Sequence, residues 1–207
     1  KMSWRVSLSF LGLDGEYLCF GAIFKPANVD VFTAAAVLDE ELLRSFPSST
    51  KKVGVFVNEE IAEVAKTVLK YKLDLVQLHG DESIDYVSSI KELGISVIKV
   101  FAMHKGFDFN QLSFFTPFVD FFLFDTKGKE RGGTGQKFDW DLLKKYAEKI
   151  PYFLSGGISS ENVNELDGLR VPGMAGLDVN SKFEISPCYK DVNKLFGFKN
   201  ALNGKDD

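Results

Sequence analysis

Short apolar runs alternate along this chain with stretches of helical period. The runs are Tyr17 to Phe24, Val53 to Val57, Leu73 to Leu78, Val97 to Phe101, Phe121 to Asp125, Tyr152 to Ser155 and Met174 to Val179. Most are apolar throughout rather than alternating, which is the pattern of parallel strands covered on both faces. Between them, Glu59 to Tyr71 carries Ile61, Val64, Ala65, Val68 and Leu69 as one helical stripe. Asp81 to Leu93, Asp139 to Lys149 and Ser159 to Leu166 behave in the same way. Asn58, Asp81 and Ser159 are the expected N-caps. Repeated strand-helix units predict a parallel α/β fold. No linker or low-complexity stretch divides the chain, so one domain over 1–207 is expected, with 203–207 as a frayed tail.

These runs supply seven strands, and a closed (β/α)8 barrel needs an eighth ahead of them. Residues 1–16, KMSWRVSLSFLGLDGE, read two ways. Arg5 to Phe10 alternates as a strand does, and Asp14-Gly15 is a hairpin signal. The same residues also fit a poor helix ahead of the Tyr17 strand. An open seven-stranded sheet would leave two edges to cover. The expectation is therefore a TIM (β/α)8 barrel whose first strand is atypical or missing.

Composition narrows the class. With 207 residues and 45% hydrophobic content the chain can bury one sizeable core. Its net charge of −4, without blocks of like charge, gives no footprint for nucleic acid. There is no apolar run of membrane-spanning length and no signal-peptide pattern. Cys19 and Cys188 form no metal or redox spacing, so no metal site is expected and a reducing cytoplasm is the simplest setting. The 20 phenylalanines read as core packing rather than as a binding platform.

Polar residues gather just after the strands, and in a parallel barrel those ends share the face on which active sites are built. Gln77, His79, Gly80 and Asp81 follow one run, Lys99 lies within another, and Asp125 ends the phenylalanine-rich strand. Gly156 and Gly157, in Ser155-Gly156-Gly157-Ile158-Ser159, read as a backbone that can approach an anion at the start of a helix, or as a tight turn with a capping serine. Asp178, Asn180 and Ser181 would complete a phosphate site across the last two loops. His79 fits either a general base or a loop-capping histidine, and His104 reads as a surface residue. Lys99 reads equally as a partner for an anion, a Schiff-base lysine or a structural group, provided it points into a polar barrel mouth. Asp125 reads as a partly desolvated acid able to hold a proton for delivery, or as an N-cap or turn aspartate. The following loop, Thr126 to Gln136, carries Arg131 and Gly133; it reads as a lid bringing a cation to an anionic substrate, or as plain exposed loop.

Val53 to Asn58, Gln77-Leu78-His79-Gly80-Asp81-Glu82, Asp125-Thr126 with Gly132-Gly133-Thr134-Gly135, Leu154 to Ile158 and Gly176 to Ser181 occur in one order. As a set they resemble phosphoribosylanthranilate isomerase of tryptophan biosynthesis, over roughly residues 53–190. Cys19 to Phe24 resembles that family's second strand more loosely. The resemblance implies a TIM barrel, no cofactor, a phosphoribosyl substrate and an Amadori rearrangement of an aminoaldose to an aminoketose. It implies Asp125 as general acid, Gly156, Gly157, Asn180 and Ser181 as the phosphate cradle, and Asp178 near the substrate. Gln77, His79, Lys99, Arg131 and Gly133 join them as substrate-binding candidates from their places on the rim and the loop. A monomer and a homodimer are both compatible with the resemblance.

Two departures stand beside the resemblance. The family's base is a cysteine at the end of the first strand, in a Lys-x-Cys-Gly pattern that this sequence does not contain. Its arginine-bearing loop after the second strand reads here Lys25-Pro26-Ala27-Asn28-Val29-Asp30, with Lys25 as a partial substitute. Either the first strand lies outside this sequence or the barrel has diverged from its base. The other readings are a sugar-phosphate-binding barrel without turnover, and an isomerase for a related phosphoribosyl aminoaldose. The second of these needs a second phosphate loop, for which Gly132 to Gly135 is the candidate.

Overall fold

A computed structural model describes residues 3–11, 17–25, 51–126, 137–169, 171–186 and 189–203. The eighth strand is present, and it runs backwards. Strand β1 (Ser3–Leu11) forms a hairpin with β2 (Tyr17–Lys25), with Ser3 opposite Lys25 and Leu11 opposite Tyr17. The alternating pattern of Arg5 to Phe10 therefore belongs to an antiparallel strand, not a helix, while Asp14-Gly15 lies outside the described residues. The rest of the sheet follows in chain order: β3 (Lys52–Phe56), β4 (Leu75–Leu78), β5 (Ser96–Met103), β6 (Phe121–Thr126), β7 (Tyr152–Leu154) and β8 (Met174–Leu177). Each neighbouring pair from β2 to β8 is parallel. Strand β1 also approaches β8, so the sheet curls round towards closure. A short hairpin, β9 (Glu184–Ser186) with β10 (Tyr189–Lys190), follows the barrel.

Side chains alternate across each strand, and two apolar cores result. Val53, Leu75, Ile98, Val100, Leu123 and Phe153 fill the barrel interior. Phe56, Val76, Leu78, Val97, Phe101, Phe122, Phe124 and Leu154 face outward, under the helical layer. Burying one such phenylalanine contributes about 1.5–3 kcal/mol, so this layer holds the strand order. Phe101 meets Phe107, Phe115 and Phe122 edge to face, which extends the outer core over β5 and β6. Most of the phenylalanines whose side chains are described pack in this way, although Phe114 and Phe196 are exposed.

Helix α1 (Ile61–Tyr71) buries Val64 and Thr67 and rests Ile61, Val68 and Tyr71 on the core. Leu69, expected on that stripe, is 78% exposed, because it lies one step round the helix from Val68. Helix α2 (Ile84–Lys91) buries Val87 and Ile90. Two of the expected caps fall elsewhere. Helix α2 is capped by Ser83, whose Oγ accepts the Tyr86 N–H at 3.2 Å, and α1 begins after Glu60. Asn58 and Asp81 are tied to each other instead, the Asp81 N–H donating to Asn58 Oδ1 at 2.9 Å. The 139–149 segment is a 3-10 helix, Trp140–Lys145, capped by Asp139. Ser159 does cap its element: a 3-10 turn, Ser160–Asn162, continues into α3 (Val163–Leu169). Helix α4 (Val192–Asn203) closes the described chain. Among the described residues no helix is long and apolar enough to cross a membrane.

Candidate active site

The mouth of the barrel is the end at which β2 to β8 finish, and the strand register lines up its polar residues. Strand parity turns Asp125 inward with Phe121 and Leu123, and Gln77 and His79 inward with Leu75. The His79 N–H donates to the Phe56 carbonyl at 2.8 Å, which carries the β3–β4 ladder one residue beyond β4. His79 Nε2 then lies 3.6 Å from Asp125 Oδ2, with both side chains about one-fifth exposed. The other Asp125 oxygen, Oδ1, accepts the Thr126 N–H at 2.8 Å. On the far side of the ring, Gln77 Nε2 stands 3.3 Å from His79 Nδ1. The direction of this contact depends on the ring tautomer; with the amide NH2 donating, Nδ1 accepts, and the tautomer that fits carries its N–H on Nε2, towards Asp125. A carboxylate–histidine pair that no local sequence pattern announces is thus assembled from β4 and β6.

The next two strand ends sit beside Asp125. The Ser155 N–H donates to the Phe124 carbonyl, and the Asp178 N–H to the Leu154 carbonyl, each at 2.8 Å. Gly156 and Gly157 both have positive φ, 87° and 72°, a region open to glycine and costly for other residues. A Cβ on Gly156 would lie 2.2 Å from Thr126 Oγ1 and 2.7 Å from the Thr126 amide nitrogen. The turn therefore needs glycine both for its conformation and for its close approach to the end of β6. Asn162 fastens it: Oδ1 accepts the Ser159 N–H at 3.0 Å, and Nδ2 donates to the Gly157 carbonyl at 2.8 Å. The exposed Glu161 nearby has its carboxyl held below the usual range, first by a hydrogen bond from Ser159. Asn180 and Ser181 follow β8 and begin a 3-10 turn, Ser181–Phe183. The turns of both loops pack against α4. Backbone N–H groups at such turns are suited to an anion such as phosphate.

Lys99 is not part of this mouth. It alternates with Ile98 and Val100, which face the interior, and shares the outer face with Val97 and Phe101. Its ammonium group is buried under the β4 loop and paired with Glu82 at 3.0 Å. The expectation of an inward-pointing lysine fails because its one-residue offset puts it on the opposite face of the sheet. Glu82 was the residue left without a role by the sequence. A lysine within an apolar strand was the available signal that a buried counter-charge must lie nearby. His104 is exposed, as expected.

Arg131, Gly133 and the rest of 127–136 lie outside the described residues, as do Cys188 and 26–50. Cys19 belongs to the described backbone of β2, opposite Ser9 of β1. The β2–β3 register begins at Phe20 and reaches the mouth near Phe24. Cys19 is therefore about 17 Å from that end, at 3.3 Å per residue. Because β1 runs backwards, it brings Ser3 and Trp4 towards the mouth rather than its last residues. Among the described residues, no three His, Cys, Asp or Glu side chains converge as metal ligands.

Fold and site define a parallel β/α barrel with an acid and a histidine paired at its mouth, next to a glycine turn. A family model described as N-(5'phosphoribosyl)anthranilate (PRA) isomerase matches residues 16–201, and the chain belongs to this family. The N-(5'-phosphoribosyl)anthranilate isomerase of Parabacteroides distasonis is 41% identical over 167 residues, covering 81% of this chain and 76% of the relative. A crystal structure of monomers generated from the dimeric Thermotoga maritima isomerase aligns at TM-score 0.68 and 28% identity, covering 93% of this chain and 89% of that one. A phosphoribosyl anthranilate isomerase solved in complex with reduced 1-(o-carboxyphenylamino)-1-deoxyribulose 5-phosphate aligns at TM-score 0.65 and 29% identity, covering 80% and 77%.

Proposed function

We propose that this chain is a single-domain isomerase that converts N-(5'-phosphoribosyl)anthranilate to 1-(2-carboxyphenylamino)-1-deoxyribulose 5-phosphate in tryptophan biosynthesis. One observation carries the residue-level reading: Asp125 faces inward at the end of β6, beside His79 and level with the Gly156-Gly157 turn. In this reading the Asp125 carboxyl protonates the ribose ring oxygen. The C1–O bond breaks, and the nitrogen lone pair forms the Schiff base. A base then takes the C2 proton, and the resulting enolamine becomes the aminoketose on reprotonation at C1. The N–H groups of the Gly156-Gly157 and Asn180-Ser181 turns hold the phosphate, with Asp178 close to the substrate and Gln77 orienting His79. Arg131 and Gly133 are assigned to the loop that covers the anionic sugar phosphate. No cofactor enters the scheme.

The base is left unassigned, because the Cys19 backbone lies at the wrong end of β2. That position also favours a second reading, a barrel that binds the sugar phosphate without turning it over. The cytoplasm is the setting, and a monomer or a homodimer the assembly; size-exclusion chromatography with light scattering separates those two.

The deciding experiment generates phosphoribosylanthranilate in place from anthranilate and phosphoribosyl pyrophosphate, and follows its fluorescence decay. Decay that depends on the protein and is lost in Asp125→Asn is expected. No decay above background from folded protein that still binds a reduced product analogue would favour the binding barrel.

A further inference from the structure

Behind the mouth, on the outer face of the sheet, lies a buried ion pair that the reaction scheme does not use. The Lys99 and Glu82 side chains are 4% and 1% exposed. Charges so deeply buried are costly unless every bond they can make is made, and the partners used here are specific. The three N–H of Lys99 Nζ are shared among four acceptors: Glu82 Oε2 at 3.0 Å and the carbonyls of Gly80 at 2.9 Å, Val100 at 3.2 Å and Leu78 at 3.4 Å. Glu82 Oε1 accepts the N–H groups of Asn58 and Gly80, both at 2.9 Å.

These contacts converge on one residue. The peptide before His79 presents the Leu78 carbonyl, which Lys99 holds. The peptide after it presents the Gly80 N–H, which Glu82 holds. Two peptide planes fixed on either side of a residue fix its φ and ψ, and hence the direction in which its side chain leaves the chain. Gly80 is also closely packed, since a Cβ there would lie 2.2 Å from Asn58 Oδ1 and 2.3 Å from Glu82 Oε1. The inward-facing His79 ring lies 3.6 Å from Asp125.

We propose that the buried Lys99–Glu82 pair is a positioning device. From the outer face of the sheet it grips the two peptides flanking His79 and so aims the imidazole at Asp125. The proposal rests on Asp125 being the proton donor. Misplacing a group at the reacting centre by about 1 Å costs up to about 100-fold in rate, whereas substrate binding through the glycine turns is untouched.

The test has two arms. First, 15N spectra of the imidazoles are recorded on the unmodified protein and on Lys99→Met and Glu82→Gln. The two histidines, 79 and 104, are told apart with His104→Gln. A single Nε2–H tautomer for His79 is expected in the unmodified protein, with tautomer averaging in both variants. A ring that averages in the unmodified protein, or keeps its tautomer in folded Lys99→Met, would overturn the proposal. Second, steady-state kinetics should show kcat reduced by about 10- to 100-fold with KM within twofold. The double variant Lys99→Met/Glu82→Gln, which removes both charges and keeps both shapes, recovers thermal stability but not kcat. Recovery of both would mean that the pair serves stability alone. If the unmodified protein shows no turnover, the isomerase reading falls, and the ring spectra decide the positioning claim without it.

Discussion

His79 Nε2 stands 3.6 Å from Asp125 Oδ2, while the Gln77 amide stands 3.3 Å from the other ring nitrogen, Nδ1. Two residues 46 positions apart in the chain thus meet at the barrel mouth, where the proposed function uses them to handle a proton. Replacing His79 with Gln keeps a polar group of similar reach and removes the ring. The expected outcome is a fall in kcat that is smaller than the loss in Asp125→Asn, where about 10²–10⁴ is expected for a general acid. Stopped-flow fluorescence of phosphoribosylanthranilate decay measures both. Wild-type kcat in His79→Gln would mean that the histidine is only a neighbour of the acid.

Gly156→Ala tests the anion cradle. The methyl group would enter at φ 87°, within 2.2 Å of Thr126 Oγ1 and 2.7 Å of the Thr126 amide. A left-handed backbone costs a non-glycine residue about 1–2 kcal/mol, and the contact with Thr126 adds to it. KM for the phosphorylated substrate should rise about tenfold, the equivalent of about 1.4 kcal/mol of binding, with a lower melting temperature. A rise in neither would separate this turn from phosphate binding.

Cys19→Ala addresses the missing base. With its backbone about 17 Å from the mouth, opposite Ser9 of the reversed first strand, Cys19 is expected to contribute nothing to turnover. The variant should keep kcat/KM within twofold. Inactivation of a folded Cys19→Ala protein would show that β2 takes a different register during catalysis.

Tyr152 is fully buried at the start of β7, and among the described residues its hydroxyl has no hydrogen-bond partner. An unsatisfied buried hydroxyl costs about 1–3 kcal/mol. Tyr152→Phe keeps the ring contacts with Phe124 and Tyr146 and removes that cost. Urea unfolding should place its midpoint at or above that of the parent protein. A clear loss of stability would reveal a partner for the hydroxyl, such as an internal water.

Tyr86 gives the fold a dependence on high pH. Its hydroxyl donates to the Glu59 carbonyl at 2.6 Å. Burial first, then the carboxylates of Glu82, Glu59 and Glu60, push its pKa up from 10.0 to about 12. The protonated phenol is favoured in the folded state, so its contribution is whole below pH 10 and is lost as pH rises from 10 towards 12. Burial likewise pushes the phenols of Tyr146 and Tyr152 up. Denaturation curves from pH 9 to 12 should show falling stability, with a shallower fall in Tyr86→Phe. Equal slopes in the two proteins would remove Tyr86 as a cause.

The apolar runs from Val53 to Val179 determined strand order and direction, because a strand covered on both faces must be apolar on both. The rim was legible for a related reason: Asp125, Ser155 and Asp178 are polar where those runs stop, and parallel strands all stop at one face. Asp14-Gly15 signalled a hairpin and so a reversed first strand, but a poor helix fitted the same residues, and only the pairing of β1 with β2 decides for the strand. Caps went to Ser83 rather than Asp81, because the Asn58–Asp81 bond takes that loop another way. Lys99 is the sharpest case. The sequence displays a charge in an apolar strand, but which face it joins depends on an offset of one residue in register. Tertiary structure settles that offset: Ile98 and Val100 fill the barrel, Lys99 turns outward to Glu82, and the pair grips the chain on both sides of His79. Local pattern decides which residues are buried. Only the packing of distant strands decides which buried and polar groups meet.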